Sequence, residues 1–147
     1  MKKKQQSFET KAISIIKDAG LRLTKSRLAL IKFLSTSDQD IEPVAIFDWM
    51  KSEGYKLNIT TIYRMLSAFE DIGLVHQTTK GSFLTCIHPH CGVHDLHLIT
   101  QCEECQAVDE AKVPEAILSP LEYFLTQLTF QKNSGVIRIS GLCKSCR

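Results

Sequence analysis

Residues 58–85 read NITTIYRMLSAFEDIGLVHQTTKGSFLT, and their pattern decides the first half of the fold. Ile62, Leu66 and Phe69 fall on one stripe of a helix. Asn58 or Thr60 can cap its start, and Gly73 can end it. Two short β-rich runs then flank Lys80-Gly81, a hairpin signal. A helix that runs into a hairpin is the closing part of a winged helix. Thr61, Tyr63 and Arg64 lie near the start of that helix, off the apolar stripe. In a helix-turn-helix this end of the second helix enters the major groove. Arginine can make a bidentate contact to guanine, while Thr and Tyr can reach phosphates or methyl groups. These three are the candidate DNA-binding residues. A solvated helix face would show the same residues, because patterning fixes fold better than function.

Upstream, Phe8, Ala12, Ile15 and Ile16 predict a helix over 8–18 that Gly20 stops, with residues 1–6 frayed. Thr24 caps a second helix whose stripe is Leu28, Ile31 and Leu34. After a polar loop over 35–40, Pro43 opens a third helix, with Val44, Phe47 and Met50 inward and Gly54 as its end.

Downstream, the stretch from Cys86 to Glu110 holds four of the five histidines and four of the six cysteines. Cys102-Glu-Glu-Cys105 and Cys143-Lys-Ser-Cys146 are two CxxC pairs, which together can complete a closed four-thiolate zinc site. Their wide separation requires a helix and strands to bring the ends together. Redox dithiols are the competing chemistry; the presence of two pairs and the lack of a thioredoxin-like βαβ pattern count against it. The other donors, His76, Cys86, His88, His90, Cys91, His94, Asp95, His97 and Glu110, exceed what one site needs and predict a second metal. A set containing His, Cys and carboxylate suits zinc, but spacing alone does not choose the members, nor decide whether His88, His90, Cys91 and His97 form a third site. Between the pairs, Ile117, Leu121, Phe124, Leu125 and Leu128 form a helical apolar stripe, with Pro120 inside it, and GVIRISGLC reads as a strand. The sheet edges this creates invite pairing with a second copy.

Charge divides along the same line. Residues 1–80 hold 13 Lys/Arg against 9 Asp/Glu, and residues 81–147 hold 5 against 7. A mildly basic front and an acidic back fit a nucleic-acid reader joined to another domain, although simple surface variation gives the same imbalance. No apolar run approaches the roughly 18 residues of a membrane span, and no secretory h-region succeeds the N-terminal lysines. The expectation is a cytoplasmic protein with reduced thiols and no membrane partner.

TKSRLALIKFL, NITTIYRMLSAFEDIGLVH and the histidine-rich lead into CEEC resemble the ferric-uptake-regulator (Fur) superfamily over about residues 10 to 146. The resemblance implies an α+β chain: an N-terminal winged helix-turn-helix domain over 1–82, then a small α/β metal-binding dimerisation domain over 83–147. Within the superfamily the pattern is most similar to the zinc-uptake-regulator branch. That branch places regulatory ligands at positions matching His76, Cys86, His94 and Glu110, with Cys102, Cys105, Cys143 and Cys146 as the structural zinc site. The Cys86–His94 and Cys102–Glu110 intervals match; His76–Cys86 is one residue short and His94–Cys102 one long, which makes His97 the substitute imidazole. Iron- and peroxide-sensing members carry a His three residues before the first CxxC cysteine, where this chain has Ile99. In this superfamily a polar aromatic at the start of the third helix often helps to contact DNA; Val44 to Phe47 hold none, which leaves the second base contact unassigned. By this resemblance the implied function is that of a homodimeric zinc-dependent repressor of zinc-uptake genes that binds double-stranded operator DNA, and no enzyme. The alternatives are a family member sensing iron, manganese or peroxide, or a zinc hydrolase. The last lacks HExxH and a general base beside a three-ligand set.

Overall fold

The computed structural model describes residues 2–37, 40–86, 95–131 and 135–147, with side chains from Phe8 onward. The chain falls into two compact units, Met1–Pro89 and His90–Arg147.

The first unit runs α1 (Lys2–Asp18), α2 (Lys25–Thr36), α3 (Pro43–Ser52), α4 (Ile59–Asp71), β1 (Val75–Gln77) and β2 (Phe83–Thr85). The helix starts are built locally. Thr24 Oγ1 accepts the Arg27 N–H at 3.2 Å, Asn58 Oδ1 accepts the Thr61 N–H at 2.9 Å, and Pro43 occupies the first turn of α3. α1 begins earlier than the apolar pattern predicts, because Lys and Gln are themselves good helix formers. Ile16, Leu30, Ile31, Leu34, Ile46, Met50, Ile62, Leu66 and Phe69 make the centre of the core. Two expected inward residues are corrected. Leu28 is 42% and Val44 52% exposed. Leu30 and Ile46 take the inward places instead, because both helices are apolar around most of their circumference, so the pattern leaves their phase open.

The wing is the antiparallel pair β1–β2, in register Val75↔Thr85, His76↔Leu84 and Gln77↔Phe83. Gly81, at φ 86°, takes the left-handed place in its turn. Ile41 adds an isolated bridge to Phe83 that no sequence pattern announces.

The second unit holds β3 (His97–Cys102), β4 (Val108–Lys112), α5 (Glu115–Gln127) and β5 (Val136–Gly141). The sheet order is β4-β3-β5, with β4 antiparallel and β5 parallel to β3. α5 is therefore the crossover that a parallel pair demands. None of its residues is buried, and Ile117, Phe124 and Leu128 of the apolar stripe stand exposed. Gly135 enters β5 against the chain before β3: a Cβ there would overlap the carbonyl oxygen of Asp95. Among the described residues, no helix is long and apolar enough to cross a membrane. The fold is thus α+β, a winged helix followed by a small α/β unit.

Candidate metal centre and nucleic-acid interface

The parallel register sets Cys102 opposite Gly141, so the two CxxC turns emerge at the same end of the sheet. The first turn is closed by Gln106 N–H to Cys102 O at 3.1 Å, the second by Cys146 N–H to Cys143 O at 3.1 Å. The four sulfurs all lie within 4.8 Å of one another. Cys105 Sγ and Cys143 Sγ are 3.7 Å apart. Four Zn–S bonds of about 2.3 Å in a tetrahedron put sulfurs about 3.8 Å apart, so the cluster has the size of a filled thiolate shell.

The proton affinities agree with that use. The Cys143 N–H, bonded to Cys102 Sγ at 3.4 Å, and the Cys105 N–H lower Cys102 from 9.0 to about 6. The Ala107 N–H pulls Cys105 down, but the thiols of Cys102 and Cys143 outweigh it and leave it raised. Cys143 and Cys105 push Cys146 up to about 12. Four thiolates this close repel one another unless a cation sits among them. The donor set therefore fits a metal ion.

Four of the other candidate ligands occur as two diagonal pairs, one in each unit, whereas Asp95 pairs with Lys112 Nζ at 2.8 Å. On the wing, the Cys86 N–H donates to Leu74 O at 3.0 Å, which continues the β1–β2 register by one step. Cys86 is then opposite Leu74 and Leu84 opposite His76, so His76 and Cys86 share one face of the hairpin. Both are buried. In the second unit, Ile99 pairs with Glu110 and His97 with Lys112, which sets His97 and Glu110 diagonally on one face. His97 Nδ1 lies 2.6 Å from Glu110 Oε1, with both side chains almost fully shielded. Alternation along β3 puts His97, Ile99 and Gln101 on its inward face, but only the register with β4 brings Glu110 beside His97. His94, together with His88, His90 and Cys91, lies outside the described residues.

Of the candidate DNA-binding residues, Tyr63 (46%) and Arg64 are exposed on α4, whose opposite face buries Ile62, Met65, Leu66 and Phe69. Thr61 is half-buried, and its hydroxyl donates to the cap Asn58 Oδ1 at 2.8 Å. This leaves its oxygen available only as an acceptor.

Residues 18–135 match the model of the ferric uptake regulator family. The chain belongs to that family. The relatives of this Fur-family chain include the peroxide-responsive repressor PerR of Staphylococcus aureus strain USA300, 27% identical over 92% of this chain and 89% of that protein. Its fold is similar to a zinc uptake regulator solved with zinc and DNA, at a TM-score of 0.80, 24% identity, and coverage of 97% and 94% of the two chains. It is also similar to holo XcZur, at 0.76, 25%, and 95% and 96%. The winged helix and α/β unit are thus those of Fur-family regulators, with zinc-uptake regulators among the structural neighbours.

Proposed function

We propose that this protein is a cytoplasmic, zinc-responsive transcriptional repressor that binds operator DNA as a homodimer and controls zinc-uptake genes. The observation that carries the reading is the pairing of a thiol with an imidazole, Cys86 with His76, on one buried face of the wing. Sulfur beside nitrogen favours zinc over manganese or iron held by oxygen and nitrogen alone. The regulatory set on this reading is His76, Cys86, Glu110 and one histidine, His94 or His97. The contact of His97 with Glu110 favours His97. Cys102, Cys105, Cys143 and Cys146 hold the structural zinc, which when bound contributes folding energy. Thr61, Tyr63 and Arg64 present α4 to the major groove, Arg64 being the base-reading residue. The dimer reading is supported by the exposed apolar residues of the second unit, Ile117, Tyr123, Phe124, Leu128 and Ile139, which a second copy would cover. Metal occupancy can shift DNA affinity only through unequal affinity for competent and incompetent states.

The test is a zinc titration of metal-stripped protein with operator DNA, for the wild type and Cys86→Ser. DNA affinity should rise with zinc in the wild type. The variant should lose that response and keep its four-thiolate metal. Equal DNA affinity in zinc-free and zinc-saturated wild type would refute the switch. The 27% identity to a peroxide-responsive repressor supports a second reading, a sensor of iron or peroxide. That reading predicts a Cys86→Ser protein that still responds, to iron rather than zinc.

A further inference from the structure

The wing is fastened to the connection between α2 and α3 by polar contacts that the metal and the helix α4 do not use. Ile41 and Phe83 exchange both backbone hydrogen bonds at 2.8 Å. Beside this bridge the Ser82 hydroxyl donates to Asp40 Oδ2 at 3.0 Å. Thr78 Oγ1 lies 2.6 Å from Ser82 Oγ. A carboxylate only accepts, so Ser82 gives its proton to Asp40 and Thr78 gives its own to Ser82. Thr78 and Ser82 are 3% and 5% exposed, although both belong to a hairpin turn, where solvent contact is the rule. The turn closes through Thr78 N–H to Ser82 O at 2.8 Å and Gly81 N–H to Thr78 O at 3.1 Å. Between the two buried hydroxyls, Thr79 and Lys80 alone project as an exposed tip.

We propose that Asp40, Ser82 and Thr78 are positioning residues for DNA binding, holding the tip so that Lys80 meets a phosphate of the duplex read by α4. This rests on the DNA-binding function proposed above. A lysine on a free five-residue loop loses loop and rotamer freedom when it engages a phosphate, whereas a loop already fixed at both shoulders loses only the rotamers. The Lys80 contact is to backbone and therefore independent of sequence, so any duplex reports it.

The experiment is a double-mutant cycle with zinc-loaded, full-length protein on a random-sequence duplex of about 30 base pairs, with affinity measured from about 50 to 200 mM salt. Lys80→Ala should flatten the slope of log K against log salt by about 1. Ser82→Ala should produce most of that flattening by itself, and Lys80→Ala should add little in the Ser82→Ala background. Equal flattening by Lys80→Ala in both backgrounds overturns the clamp, as does no flattening in either. Unfolding of Ser82→Ala would show in Trp49 fluorescence; Asp40→Ala, which alters an exposed carboxylate, then takes its place in the cycle. Wild-type protein without salt-dependent binding would sink the DNA reading itself, an outcome distinct from additive slopes.

Discussion

Removing metal should unfold the second unit and spare the first. Among the described residues the apolar core of the second unit is small: Leu96, Ile99 and Val113 are its large buried aliphatics, and α5 buries nothing. Three such side chains contribute about 5–9 kcal/mol between them. The first unit buries Ile16, Leu30, Ile31, Leu34, Ile46, Met50, Ile62, Leu66 and Phe69, with further residues around them. A structural zinc site supplies about 10–16 kcal/mol of apparent binding energy in small domains. That matches or exceeds the whole stability of an ordinary domain, about 5–15 kcal/mol. Stripping the metal therefore removes more than the second unit can spare. The assay has a built-in probe, because the single tryptophan, Trp49, packs on Phe33 in the first unit with ring centroids 5.1 Å apart. After chelation the Trp49 unfolding transition should persist, while amide exchange protection across β3, β4 and β5 should collapse. Metal-free protein that keeps protection at Leu98 to Gln101 would refute the claim that the thiolate cluster supplies the folding energy.

Two substitutions test the parts separately. Arg64→Ala should cost about 1–3 kcal/mol against operator DNA and relax discrimination at one base pair, read by competition with single-base operator variants. Thermal unfolding should hardly change, since Arg64 is exposed. Gly135→Ala should disrupt the entry to β5, because its Cβ would overlap Asp95 O and displace the hydrogen bond from the His97 N–H to Gly135 O at 2.6 Å. The expected result is lost exchange protection in the second unit with the Trp49 transition unchanged.

The legible part of the fold is the part written in local chemistry. Thr24, Asn58 and Pro43 mark helix starts, and Gly20, Gly54 and Gly73 mark ends with positive φ. Each acts within a few residues of itself, so one sequence suffices. The face that a short helix buries is less local. α3 offers Val44, Ala45, Ile46, Phe47, Trp49 and Met50 in seven positions, and only packing against its neighbours selects Ile46 and Met50 over Val44. Thr78 and Ser82 mislead in the opposite direction: hydroxyls in a turn read as solvated, and only the distant Asp40 reveals their burial. The four-thiolate cluster is legible from two CxxC pairs. The contact of His97 with Glu110 is not, because it depends on the register across β3 and β4.

That register dependence bears on the proposed regulatory set. His76 with Cys86 and His97 with Glu110 are both diagonal neighbours on an antiparallel pair. Such neighbours have Cβ atoms within about 7–8 Å, close enough for side chains to converge on one ion. Two donors fill only half of a tetrahedral shell, so neither pair alone is a zinc site of the usual four-ligand kind. A shift of one residue in either pairing would turn one donor to the opposite face. The turn from Thr78 to Ser82 sets the first register. It therefore governs both ends of the wing: the tip that carries Lys80 and the base that carries His76 and Cys86. On the proposed reading, the same Thr78–Ser82 turn that presents Lys80 also fixes the face of the wing on which His76 and Cys86 lie.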